Sequence, residues 1–178
     1  MGGDGLETGR AVRRSGRVIV VDPRERLLLL RYRSGAAGDP AVTGIGAFWI
    51  VPGGKAEPDE SVREAAAREL FEETGIRRSA SELGRPVGER RAELWIGGVL
   101  TPCEETYFLV RSDGERVSRA GWTELEIGDI EDVRWFDASE LLASASWEAE
   151  LAPRGAAWFY ARCARGDVPG GITTLGTR

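Results

Sequence analysis

An α/β protein, an α/β/α sandwich around a mixed β-sheet, is the fold class this sequence predicts. Three observations lead there. Short runs rich in Val, Ile, Leu and aromatic residues recur between residues 17 and 136, and such runs read as strands. Only two or three helical stretches stand between or after them, too few for a bundle and placed to cover the faces of one sheet. The best of these helices, at residues 61–74, has both ends signposted. Strand order is not legible at this level.

In chain order, residues 1–15 are rich in Gly and Arg with little to bury and read as a mobile arm. Residues 17–21 form a β-branched run, Asp22-Pro23-Arg24-Glu25 a turn, and residues 27–31 a second apolar run, together a hairpin-like pair. Their unbroken apolar character predicts strands covered on both faces. Residues 33–46 are mostly small or polar, a loop longer than most, whose place just before the next segment leaves a site-bordering role and no role equally open. Residues 61–74 contain no Gly or Pro and carry Ala65, Ala66, Ala67, Leu70 and Phe71 among charged residues, which predicts a helix of about 14 residues. Ser61 serves as N-cap with Glu64 completing a capping box, and Gly75 supplies the stop.

Residues 77–84 read as a polar connection. Residues 87–99 and 106–110 are expected strands, with Thr101-Pro102-Cys103-Glu104 as the break between them. Asp113-Gly114-Glu115 opens a polar segment running to about Asp132, and residues 133–136 form a short strand. Asp137 and Glu140 have the spacing of a capping box for a helix through Leu142. A last helix is expected over residues 149–165, with Pro153 tolerated near its start, and then a tail at residues 166–178. The expected organisation is therefore an arm (1–15), one domain (16–165) and a tail, with no internal repeat.

Composition agrees with one enzyme-sized domain: 178 residues, 42% of them hydrophobic, suffice for a core. A net charge of -5 with acids and bases interspersed gives no basic stripe for nucleic acid. Cys103 and Cys163 are isolated and there is no histidine, which excludes the usual zinc patterns and any His-based triad. Both cysteines read as buried, inert thiols. No run is long enough to span a membrane and no apolar leader is seen, so the expectation is a cytoplasmic protein with no membrane partner. A homodimer is compatible with the sequence.

The acids of the 61–74 helix carry the chemistry. At about 100° per residue, Ala66, Ala67, Leu70 and Phe71 fall on one side, and Glu69, Glu72 and Glu73 share an adjacent arc of roughly 100°. Like-charge neighbours on a helix cost roughly 0.2–0.5 kcal/mol per pair, and Glu72 and Glu73 also sit in the last turn, where the helix dipole repels them. A solvated acidic face is the ordinary reading of a glutamate cluster, but it does not explain acids placed where local electrostatics disfavours them. A divalent cation does, since Mg²⁺ takes carboxylate oxygens and fills its remaining positions with water and substrate phosphate.

Gly54, five residues, Glu60, seven residues, then Arg68-Glu69-Leu70-Phe71-Glu72-Glu73-Thr74-Gly75-Ile76: this pattern resembles the Nudix box of the Nudix hydrolases at every fixed position. Trp49-Ile50-Val51-Pro52-Gly53 resembles the strand and turn that lead into it, and Arg134-Trp135-Phe136 with Glu140-Leu141 resembles, less specifically, a later part of the domain. The one departure is Asp59, where many members carry glycine. The resemblance implies the same sandwich fold and a metal-dependent hydrolase of a nucleoside diphosphate linked to another group. It implies that Glu69, Glu72 and Glu73 hold Mg²⁺ or Mn²⁺, with the Gly53 carbonyl as a further ligand. Glu72, Glu73 or a carboxylate from a later loop would accept the proton of the attacking water, and Arg68 would orient a ligand carboxylate. Gly54, Glu60 and Gly75 would be structural. Glu115, Glu124 and Glu126 are candidates for a fourth acid, although a surface charge is the ordinary reading of each.

The resemblance implies a nucleotide-like substrate, with a base to stack and phosphates to meet cations. Tyr32, Trp95, Trp122 and Trp158 are candidate platforms, and Arg31 and Arg33 candidate phosphate contacts; aromatic residues are more often core. ADP-ribose-like dinucleotides, oxidised nucleoside triphosphates and diadenosine polyphosphates stay open. Two alternatives are kept: a non-catalytic Nudix-fold binding or sensor module, which usually lacks one of the glutamates, and an isoprenoid diphosphate isomerase, which typically needs a reactive cysteine.

Overall fold

The computed structural model describes residues 11–33, 47–96, 98–143, 150–168 and 170–176. Apart from Arg33, the expected loop at 33–46 lies outside them, as do residues 1–10 of the expected arm. The described elements run β1 (Arg13–Val21), β2 (Arg26–Arg33), β3 (Ala47–Ile50), β4 (Gly53–Lys55), α1 (Val62–Thr74), a 3₁₀ turn (Ala80–Leu83), β5 (Gly88–Ile96) and β6 (Val99–Arg111). They continue with α2 (Glu124–Asp129), β7 (Ile130–Asp137), α3 (Ala138–Ala143), α4 (Ala157–Ala164) and β8 (Thr173–Leu175).

The Asp22–Glu25 turn forms as the sequence predicts. Asp22 accepts the N–H groups of Arg24 and Arg26 at 2.9 Å each, and Glu25 takes the left-handed conformation at φ 60. Only the turn end of the hairpin pairs, at Val21 and Leu27. Beyond it the two strands part. β1 runs parallel to β6 along its full length and antiparallel to β4 at Ser15–Arg17, while β2 runs between β3 and β7, antiparallel to both. β5 pairs antiparallel with β6 and parallel with β8. The sheet is therefore mixed.

Alternation within the apolar runs explains the layers. Val18, Val20 and Leu28 face α1 and the 3₁₀ turn, packing with Ala66, Leu70, Ile76, Leu83 and Phe108. Ile19, Val21, Leu27 and Leu29 face the other way, onto Leu141 of α3 and Phe159, Tyr160 and Cys163 of α4. A strand covered on both faces needs apolar residues at every position, which is why these runs show no polar alternation. The result is the α/β/α sandwich the sequence predicts. Among the described residues no helix is long and apolar enough to cross a membrane.

Several boundaries differ from the sequence reading. The expected break at residues 101–104 lies inside β6, and the hairpin turn comes earlier, with Gly98 at φ 80. Pro102 is tolerated because β1 begins pairing only at Cys103, so β6 has one neighbour at Pro102 and no second ladder needs its missing N–H. The polar segment 113–132 contains α2, capped by Thr123 and Glu126 as a capping box; six residues without an apolar stripe leave no periodic signal. The last helix starts at Ala157 rather than 149, because Leu151 bridges to Trp49 and Gly155 at φ 80 turns the chain before the helix. Arg13 to Ser15, in the expected arm, belong to β1, and the expected tail contributes β8.

Helix α1 starts and stops where the sequence puts it. Ser61 and Glu64 form the capping box, and Gly75 at φ 76 closes the C-terminus by donating to Phe71 O. Its buried side differs: Ala65, Ala66, Leu70, Glu73 and Thr74 are inside, while Ala67 and Phe71 are partly exposed, the Phe71 ring lying 3.8 Å under the Arg77 guanidinium. The helix is rolled so that a glutamate, not a phenylalanine, faces inward.

Candidate active site

The helix can bring Glu73 inward because β1 lets it come close. A Cβ on Gly16 would run into the Val62 carbonyl and Ala66, and one on Gly54 into the Glu69 carboxylate. Gly53, at φ 135 where β4 begins, has no room for a Cβ, which would run into the Gly16 carbonyl. Glycines at these positions let backbone and carboxylates share space that any side chain would take.

Glu73 is 2% exposed. Its Oε2 accepts the Gly53 N–H at 2.7 Å, and its Oε1 accepts the Tyr32 hydroxyl. Burial raises its pKa to about 8, with the Tyr32 hydrogen bond opposing the rise and the Glu69 charge adding to it. Burial also raises Glu69, against the Arg68 charge. Arg68 ties the remaining acids together. Its Nε and Nη2 donate to Glu60 at 3.0 and 2.9 Å, and its Nη1 donates to Glu69 at 2.9 Å and Glu72 at 2.8 Å. Glu60 also accepts the Glu57 N–H at 3.1 Å, so it ties the loop to the helix. Its pKa is lowered, first by Arg68.

A cavity of about 310 Å³ opens onto this arrangement. Glu69 and Glu73 line it, with Gly53, Gly54 and Tyr32. So do residues the sequence reading did not single out: Arg13, Arg17, Lys55, Glu57 and Asp129. Arg17 had one signal in the sequence, a charged residue heading an apolar strand; the others had none. A larger depression of about 550 Å³ lies between Val12 and the β5–β6 hairpin, but it holds no residue of the Gly54–Ile76 box, and the chemistry belongs to the smaller cavity.

The other sequence candidates fall as follows. Glu126 lines the cavity but accepts from Thr123 N and Oγ1 at 2.6 and 2.7 Å as the cap of α2. Glu115 is held by Arg78 and Ser112, and Glu124 is exposed in the first turn of α2. Neither lines the cavity. Arg31 and Arg33 both pair with Glu131 on β7, at 3.5 and 3.2 Å. Trp122 donates its indole N–H to the Glu73 carbonyl at 2.8 Å, pinning the segment after β6 to the end of α1. Trp95 on β5 and Trp158 on α4 are 48% and 44% exposed, and neither lines the cavity. Cys103 and Cys163 are buried and free, and burial pushes the Cys163 thiol up to about 12.

Tyr32 therefore meets a carboxylate of the box and stacks on Phe48 with ring centroids 6.1 Å apart. Burial, then the Glu73 charge, holds its own pKa well above the usual phenol range, so it stays a donor. Tyr32→Phe is expected to cost about 0.5–1.5 kcal/mol, the usual net worth of a hydrogen bond between neutral groups, because a Glu73 whose pKa is raised to about 8 is largely protonated at neutral pH. The loss is read as a lower urea midpoint at that pH. A Tyr32 that served only as a stacking platform would leave that midpoint unchanged.

The donor set fits a hard divalent cation. Oxygen atoms alone are offered, and the charge penalty that burial places on Glu69 and Glu73 is one a dication offsets. Among the described residues no three acidic, His or Cys side chains are already grouped as ligands, because Arg68 engages Glu69 and Glu72 while Tyr32 and Gly53 engage Glu73. The Gly53 carbonyl accepts Arg17 Nη1 at 2.6 Å, which occupies one of its two lone pairs.

A mixed sheet between helical layers, with a glycine turn and a glutamate helix converging on one acidic cavity, defines a class of α/β sandwich proteins whose site lies on the helix that follows the turn. The family model for the NUDIX domain matches residues 12–159, and the chain belongs to the Nudix family. It is 35% identical over 105 residues to phosphatase NudJ of Escherichia coli strain K12, covering 59% of this chain and 61% of that protein. The chain thus spans about three-fifths of the length of the curated relatives it matches. In fold it is similar to a MutT protein from Methanosarcina mazei Go1, with a TM-score of 0.61, 24% identity, and coverage of 92% of this chain and 99% of the other. It is also similar to a bifunctional NMN adenylyltransferase/ADP ribose pyrophosphatase from Francisella tularensis complexed with AMP and a Mn ion. That match has a TM-score of 0.50 and 20% identity, over 76% of this chain and 37% of the other.

Proposed function

We propose that this protein hydrolyses a phosphoanhydride bond in a nucleoside diphosphate linked to another group, with Mg²⁺ or Mn²⁺ as its cofactor. The observation that carries the reading is the cavity lined together by the buried Glu73, the partly buried Glu69, Arg13, Arg17 and Lys55. A phosphoanhydride resists attack because its anionic oxygens repel a nucleophile, and catalysis consists of positioning and charge neutralisation. Glu69, Glu72, Glu73 and the Gly53 carbonyl would hold the cation, which supplies positive charge to the phosphate oxygens and lowers the pKa of water. Arg68 orients Glu69 and Glu72 through its Nη1. Glu73, between the Tyr32 hydroxyl and the Gly53 N–H, is fixed in place to accept a proton, and Arg13 and Lys55 meet phosphate oxygens at the cavity wall. The setting that suits this chemistry is cytoplasmic.

Relatives named a phosphatase and an ADP ribose pyrophosphatase agree with the reaction class. The binding-module alternative is disfavoured because Glu69, Glu72 and Glu73 are all retained, and the isomerase alternative because both cysteines are buried with raised pKa values. Incubating the protein with ADP-ribose, diadenosine polyphosphates and oxidised nucleoside triphosphates, each with Mg²⁺ or Mn²⁺ and with EDTA, tests it. Cation-dependent release of a nucleoside monophosphate from at least one substrate is expected. Tight binding of these compounds without any cleavage would move the reading to the binding module.

A further inference from the structure

Arg17 heads the apolar run of β1 and is 7% exposed, yet it lines the cavity. Two edges of its guanidinium are fixed: Nε donates to Glu105 Oε1 at 3.1 Å and Nη1 to the Gly53 carbonyl at 2.6 Å. Glu105, 4% exposed, is itself braced by Arg90 Nη1 at 3.1 Å and by the Tyr107 hydroxyl at 2.9 Å. The brace is built across three adjacent strands, since Arg17 is on β1, Glu105 and Tyr107 on β6 and Arg90 on β5. The other terminal nitrogen, Nη2, has no hydrogen-bond partner among the described residues, and the residue lines the cavity.

We propose that Arg17 is a phosphate-binding residue of this cavity, its Nη2 edge gripping an oxygen of the substrate's phosphate while Glu105 keeps the guanidinium aimed. The inference deepens the hydrolase reading and rests on it for the identity of the molecule that carries the phosphate.

The chemistry selects an oxyanion. Guanidinium stays charged at every physiological pH and presents its donors in one plane, so a nearly buried one with an open nitrogen calls for a charged oxygen acceptor. A phosphate oxygen meets that open nitrogen with a charge-assisted bond. A purely structural arginine joining Glu105 to Gly53 would need only Nε and Nη1. Arg31 and Arg33 are poorer candidates because both pair with Glu131 and neither lines the cavity. Among carboxylates that repel a polyphosphate, a cation that cannot swing away is also the one whose attraction is not lost to side-chain entropy.

Calorimetric titration of inorganic pyrophosphate in the presence of Mg²⁺, on the full chain, provides the test, with Arg17→Lys and Arg17→Met followed by thermal melts. Arg17→Lys keeps the charge beside Glu105 and is expected to fold, but it loses the planar fork. Its affinity for pyrophosphate is expected to fall about tenfold, and that of Arg17→Met further. If Arg17→Met fails to fold, Arg17→Lys alone decides. A folded Arg17→Lys that binds pyrophosphate as the wild type does, or a wild type that binds none, overturns the proposal. Binding that depends on Arg17 in a protein that cleaves no nucleotide would remove the hydrolase reading and leave the phosphate site standing.

Discussion

Glu105→Gln should lower folding stability by about 3–5 kcal/mol, the usual consequence of removing one partner from a buried ion pair. Glu105 is 4% exposed and is shared by Arg17 and Arg90, which are 7% and 5% exposed. Glutamine keeps the shape and one acceptor oxygen but leaves two guanidiniums facing a neutral group. Burial alone would raise the Glu105 pKa, yet Arg17 and then Arg90 overcome it and hold the pKa below its ordinary 4.5. A folded-state pKa below the unfolded one contributes stability that is present above the unfolded value and lost as pH falls through the folded value. Wild type should therefore lose stability in acid through this group, and the Gln variant should lack that part of the acid loss. Urea denaturation of both proteins at neutral pH and near about pH 3 measures the effect. A neutral-pH difference below about 1 kcal/mol would mean that the three-strand brace is not stabilising the sheet.

The two ends of helix α1 were legible because their signals are local: Ser61 and Glu64 at one, Gly75 at the other. The two-sided burial of β1 and β2 was legible because it leaves an unbroken apolar run. The roll of α1 was not. Counting hydrophobic residues puts Phe71 inside, whereas Glu73 takes the buried position and Phe71 settles under Arg77, because hydrogen bonds from Tyr32 and Gly53 offset the burial of a carboxylate. Those donors lie 41 and 20 residues away in sequence, beyond the reach of any periodicity. The cations of the cavity were missed for the same reason: Arg13 and Arg17 come to the Gly53 turn only through the pairing of β1 with β4. Pro102 misled in the opposite direction, since a proline reads as a break until the neighbouring strand is known to stop one residue short.

Glu73→Gln should reduce kcat by roughly 10² or more, in line with losing charge stabilisation at the reacting phosphate, while making the metal-free protein more stable at alkaline pH. Both effects follow from one side chain placed where burial opposes its charge. With Glu73 pushed up to about 8 against an ordinary value of 4.5, the folded protein binds a proton more tightly than the unfolded chain. That contribution is fully present below the unfolded pKa and is lost as pH rises through the folded one. In EDTA, wild-type stability should thus decline from about pH 5 to about pH 8. Glutamine has no such slope, and it can place its amide oxygen on the Gly53 N–H and its amide N–H on the Tyr32 hydroxyl oxygen, so the hydrogen bonds of the site survive. Mg²⁺ should reverse the order. An ion that binds only the folded wild type adds about 2.7 kcal/mol at a hundredfold excess over its Kd, and that increment should shrink in the variant, which lacks one carboxylate. Thermal melts of the two proteins across this pH range, with EDTA and with Mg²⁺, together with kcat on whichever nucleotide proves to be a substrate, supply the comparison. Equal increments from Mg²⁺ in both proteins and an unchanged kcat would show that Glu73 neither holds the cation nor moves the proton, and would leave it as a buried structural acid pinned between Tyr32 and Gly53.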